Sequence, residues 1–150
     1  MPLKRHKALQ PLSHNHHHSL LLCWKIRMGF RKQIDLNRIK RYTDWYFHHH
    51  IQPHFSLEEQ HLFPILGEDH PLVKRAMAQH RRLKRLFTDE YEFKRNLSRI
   101  EDELESHIRF EERVLFQEIQ AQVSKSQTEL PEILHRELPY EENMSDPFWE

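Results

Sequence analysis

Two short stretches of this chain place a glutamate four residues after a histidine, and they nearly match. Residues 54 to 63 are HFSLEEQHLF, and residues 107 to 116 are HIRFEERVLF. In each, the first glutamate is followed by a second and then, at the same offset, by Leu-Phe. On an α-helix an i, i+4 pair lies about 40° apart around the axis and ~6 Å apart along it. His54 and Glu58 therefore project from one face, as do His107 and Glu111. An imidazole and a carboxylate held that way reach the same small volume, and this donor set suits iron or manganese and also accepts zinc. A single His/Glu pair on an exposed helix means little. Here Leu62-Phe63 and Leu115-Phe116 repeat as well, which ties each pair to an apolar face.

Two more histidines lie on apolar stripes. His16 shares a face with Leu20 and Cys23, and His80 shares one with Val73, Ala76, Leu83 and Phe87. Such a histidine is by default a buried ring with an ordinary hydrogen-bond partner. Placed between two His-x-x-x-Glu helices, both become candidate ligands. The set is then His16, His54, Glu58, His80, His107 and Glu111, with an approximate twofold character that suits two metal ions. Each glutamate can bridge or chelate. Glu59 and Glu112, one residue further on, are expected to make hydrogen bonds around the site or on the helix surface. The remaining histidines of the 14 do less. His17 and His18 lie roughly 100° and 200° around the helix from His16. His50 lies one turn before His54, at the rim, and His6, His48, His49 and His135 are expected in solvent. Cys23 is a small core residue.

These side chains need four helices to position them. Apolar spacing predicts a first helix over about 13–32, with Ser13 as N-cap and Gly29 weakening its end. Asp35 caps a second helix that runs to Pro64 and Gly67. Pro53 lies inside it and should kink or rearrange it, because proline lacks an N–H and crowds the carbonyl four residues back. A third helix starts at Asp69-His70-Pro71 and ends near 89, and a fourth covers about 92–123. A short fifth helix is expected around 129–137, and Phe148-Trp149 should dock the tail on the bundle. The expected fold is all-α, an up-down-up-down four-helix bundle with a metal site in its core. It forms a single domain over 1–150, with the bundle at about 12–123 and an extension at 124–150.

Composition narrows the function classes. Only two glycines occur, which argues against a chain of strands and tight turns. The 23 basic and 23 acidic residues balance, which gives no reason to expect nucleic acid or an anionic membrane as partner. SLLLCW is far too short to span a bilayer, and no apolar run of signal-peptide length follows the basic N-terminus. A lone cysteine forms no internal disulfide, and the expected location is the cytoplasm. No nucleophile–base pair or phosphate loop is present.

The segments SHNHHHSLLLCWKIR, HFSLEEQHLFPIL, QHRRL and ESHIRFEERVLF together resemble the hemerythrin-like, His-His-Glu cation-binding family. The resemblance covers residues 12 to about 120, and the closing DPFWE shares its style. It implies a non-haem di-iron centre in a four-helix bundle, with an oxo or hydroxo bridge, held by His16, His54, Glu58, His80, His107 and Glu111. Manganese or zinc are alternatives. Oxygen-carrying members are similar except that their third helix offers two histidines at i, i+4. Here the positions four away from His80 are Ala76 and Lys84, so one protein ligand is missing. Water, an exogenous ligand or another residue could fill the vacancy, and His61 is the best placed. The expected function is binding of dioxygen or a related small ligand, for oxygen or iron binding, sensing or storage, with an electron-transfer partner. The alternative is an oxidoreductase acting on hydrogen peroxide or nitric oxide. A helical interaction module with structural histidines is the third reading.

Overall fold

Leu12, His16, Ser19, Leu22, Cys23 and Ile26 recur every three or four residues, and they form the buried stripe of α1, Gln10–Arg31. The structure, a computed structural model, describes residues 4–126, 129–135 and 139–150, except for the side chain of His135. α1 begins before the Ser13 cap expected from the sequence. A 3-10 turn at Lys7–Leu9 leads into it, capped by His6 Nδ1, which accepts the Ala8 N–H at 3.0 Å. Burial of Ala8 and Leu9 favours this earlier start, and Pro11 is tolerated in the first turn. The helix runs past Gly29 to Arg31, close to its expected end. A Cβ there would lie 2.6 Å from Ile39 Cδ1 and 3.0 Å from Phe148. The glycine lets α1 approach the second helical segment and the tail.

The second segment starts at α2, Leu36–Tyr46, where Asp35 accepts the Asn37 N–H at 2.8 Å. The rearrangement expected at Pro53 is a π turn over Phe47–Ile51, closed by Gln52 N–H to Phe47 C=O. It lies directly before α3, Gln52–Leu57, which has Pro53 in its first turn. A second π turn follows at Glu58–Leu62, and a 3-10 turn at Phe63–Ile65 ends the segment. Pro71 opens α4, Pro71–Thr88, after His70, whose Nδ1 accepts the Leu72 N–H. The fourth segment joins α5, Phe93–Phe110, through a π turn at Glu111–Leu115 to α6, Phe116–Ser126. No strand occurs among the described residues, and the four helical segments form the expected bundle. None of the described helices is long and apolar enough to cross a membrane.

Two apolar clusters fill the bundle. One gathers Leu22, Ile26, Ile39, Tyr46, Phe55, Leu83, Phe87, Leu104 and neighbours, and the other Leu9, Leu12, Leu62, Phe63, Ala76, Leu115, Phe116 and Ile119. On the first and third segments the candidate ligand falls between the two sets, His16 between Leu12 and Leu22 and His80 between Ala76 and Leu83. On the second and fourth the His/Glu pairs straddle the boundary, His54 beside Phe55 and His107 beside Ile108 of the first set, with Leu62 and Leu115 of the second set beyond the glutamates. The polar layer is thus sealed at both ends by side chains that exclude water. Of the expected fifth helix, residues 132–135 form a 3-10 turn. Residues 136 and 137 lie outside the described residues. The tail docks as expected, with Phe148 buried and Trp149 packed on the first cluster.

Candidate metal centre

Each histidine-glutamate repeat crosses a junction between α-helix and π turn. His54 is in α3 and Glu58 opens a π turn, while His107 lies in the last turn of α5 and Glu111 opens the equivalent turn. The turns close through Phe63 N–H to Glu58 C=O and Phe116 N–H to Glu111 C=O. Such i→i+5 closure brings the phenylalanine round towards the face that carries the glutamate, so that Leu and Phe are both buried. Phe63 packs on His80 with centroids 5.4 Å apart, and Phe116 stacks on His16 at 5.5 Å. The Leu-Phe of each repeat therefore walls the histidine contributed by another helix.

All six candidate ligands are buried, with Glu58 and Glu111 fully enclosed. They form two groups of four, His16/His54/Glu58/Glu111 and Glu58/His80/His107/Glu111, and within each group the ligand atoms lie within 4.8 Å of one another. Both glutamates belong to both groups. The Nε2 atoms face the carboxylates: His16 to Glu111 at 3.0 Å, His54 to Glu58 at 3.3 Å, His80 to Glu58 at 3.2 Å and His107 to Glu111 at 3.4 Å. Most of these approaches lack hydrogen-bond geometry. His54, His80 and His107 Nε2, both Glu58 oxygens and Glu111 Oε2 are buried without a hydrogen-bond partner. Leaving that many polar atoms unpaired costs free energy that a shared cation removes.

The outward nitrogens of the four rings are also engaged. His16 Nδ1–H donates to Glu112 at 2.8 Å, and His80 Nδ1–H donates to Glu59 at 2.7 Å. His107 Nδ1–H donates to Gln79 Oε1 at 2.5 Å, and His54 Nδ1 lies 3.4 Å from Asn15 Nδ2. A donor proton on Nδ1 leaves Nε2 with its lone pair free for a metal. For His54 this state requires Asn15 to present its Oδ1. The outer partners follow the twofold pattern: the carboxylates serve His16 and His80, and the amides serve His54 and His107.

Without metal the layer holds its charge balance with protons. Burial works against the imidazolium of His16, yet hydrogen bonds to Glu111 and Glu112 outweigh it and push the group up to about 10. His80 is likewise raised well above its usual value, against burial, by Glu111, Glu58 and Glu59. Burial would raise Glu111, but His107, His16 and His80 hold it well below the usual carboxylate range.

The hemerythrin HHE cation-binding domain model matches residues 7–119. The chain belongs to that family. No significant match is found among the curated proteins or the solved structures compared with it. Hemerythrin-like membership and the buried donor set agree on cation binding.

Other sequence expectations can be placed on this geometry. His61 is half-buried and belongs to neither group of four. Ala76 is fully buried in the apolar cluster, and Lys84 lies 3.7 Å from Glu59, so the third segment brings only His80 to the centre. Glu59 and Glu112 hold the outer sides of His80 and His16, as hydrogen-bonding residues around the site. His50 does not border the centre, because its Nε2–H donates to the Glu141 carbonyl and its ring stacks on Tyr140. His17, His48 and His49 are exposed, and Cys23 is buried with its thiol pushed up to about 12 by burial. The sequence reading missed Asn15 and Gln79. Each directly precedes the histidine of its helix, and that repeated amide-histidine pair was the available signal.

Proposed function

We propose that this protein is a non-haem di-iron protein that binds dioxygen or a related small ligand at the buried centre. The sharing of Glu58 and Glu111 between two four-residue groups supports this reading most directly. His16 and His54 would hold one ion, His80 and His107 the other, and the two glutamates both. Manganese or zinc fits the same donor types. Iron held there would supply one-electron chemistry towards dioxygen, nitric oxide or peroxide.

The chain's own residues would shape that chemistry. Glu112, Glu59 and Gln79 would hold the protons of His16, His80 and His107 on Nδ1 and leave Nε2 free towards the centre. Phe55, stacked 3.7 Å from His80, joins Phe63 and Phe116 in keeping water out and slowing proton leakage. With only four protein ligands in each group, coordination positions remain for an exogenous molecule. That count also favours a second reading, turnover of peroxide or nitric oxide in place of reversible binding. A cytoplasmic location and an electron-transfer partner complete the proposal.

The test is the metal-to-protein ratio of untagged protein reconstituted without air, with optical spectra before and after exposure. About two irons per chain and an adduct that releases dioxygen on evacuation support the binder. Rapid oxidation with peroxide consumption above that of free iron supports the enzyme. Less than one iron, manganese or zinc per chain would sink both.

A further inference from the structure

The duplicated motifs leave the histidine-rich stretch HNHHH only partly used. Its second histidine, His16, points into the bundle, and the residues two before and two after it point the other way. His14 and His18 lie at i, i+4 on the outer face of α1, and their Nε2 atoms are 3.3 Å apart. The rings meet edge to face, with centroids 4.9 Å apart. His18 is also held flat against Tyr140 of the C-terminal tail, at 3.8 Å and 2° between planes. Neither ring has another hydrogen-bond partner among the described residues.

We propose that His14 and His18 form a second, surface metal site for a divalent cation of the copper or zinc class. Imidazole nitrogens bind such ions at about 2.0–2.1 Å, so a separation of 3.3 Å corresponds to an N–metal–N angle of about 105°. That is near the tetrahedral angle, and a small rotation of the exposed His14 ring brings it to the square-planar value. The pair contains no carboxylate, unlike the buried centre, which biases it towards ions that favour imidazole alone. Stacking on Tyr140 already restricts His18, so less rotamer entropy is lost on binding. The site is independent of the buried centre, since His14 and His18 face away from His16. A bound ion would also fix His18 against Tyr140, whose hydroxyl donates to Glu142 at 3.0 Å, and so tighten the tail's attachment.

The same 3.3 Å also fits a simple N–H···N hydrogen bond, and copper titration separates the two. Protein with its buried centre already loaded is titrated with Cu2+ against a chromogenic competitor and followed by electron paramagnetic resonance. The expected result is about one additional copper per chain, with hyperfine structure from two nitrogens and no loss of the metal already present. His14→Ala, at an exposed position, should weaken that copper by at least ~10-fold, since even outer-sphere partners of a metal contribute 10–100-fold. His18→Phe, which keeps the stack on Tyr140, should do the same, and His17→Ala should not. Absence of extra copper in the unaltered protein, or equal copper binding in the His14→Ala and His18→Phe variants, would overturn the proposal.

Discussion

Glu111→Gln offers a sharp test of the arrangement because the substitution is nearly isosteric and its effect is stoichiometric. Glu111 belongs to both groups of four, so one change removes a carboxylate from both candidate ion sites. Removing only an outer hydrogen-bond partner already costs 10–100-fold in metal affinity. If both ions are bound, loss of a carboxylate shared by their two sites should cost at least ~100-fold for each ion, or about 2.7 kcal/mol apiece. Over two ions that is roughly 5.5 kcal/mol. His54→Ala touches one group only and should leave the His80/His107 side able to hold its ion. At equal free metal, the histidine variant should retain about one ion per chain and the glutamine variant close to none. The helices should persist in both: His16 keeps Glu112 at 2.8 Å and can shed its proton. Metal analysis after dialysis against a weak chelator, alongside circular dichroism, reads the outcome. A folded Glu111→Gln protein that keeps a full complement of metal would refute the shared-carboxylate reasoning.

Glu112→Gln and Glu59→Gln should each weaken one ion by 10–100-fold without unfolding the bundle, as competition with a chelator would measure. Loading the metal-free protein at pH 7 should release about two protons. His16, raised to about 10, and His80, also raised, carry protons that Nε2 must lose, whereas Glu111 is held low and is already ionised. Apparent affinity should therefore climb between pH 7 and 9, measurable by calorimetry in buffers of differing ionisation enthalpy, and a flat profile would contradict this. Phe148→Ala removes a buried ring that anchors the tail on the first apolar cluster. It should cost about 3 kcal/mol, seen as a lower urea midpoint.

The sequence by itself determined the helical fold, because apolar residues recurring every three or four positions are buried together on one side of a helix and not of a strand. It also paired His54 with Glu58 and His107 with Glu111 on one face each, since an i, i+4 relation fixes direction on an α-helix without knowledge of any neighbour. His16 and His80 were placed only by the apolar stripes they share. Helix ends were less legible. Ser13 has the chemistry of a cap, but burial of Ala8 and Leu9 against another segment draws the helix past it. The π turns at Glu58 and Glu111 were hidden for a related reason. With Leu and Phe adjacent, four-residue and five-residue periods both place an apolar side chain inside. Only packing against His80 and His16 distinguishes them. The tertiary structure alone decided that both glutamates belong to both groups, and that Glu112 reaches His16 while Glu59 reaches His80. Those pairings span 96 and 21 residues. They depend on which helix faces which across the core, a relation that no local spacing encodes.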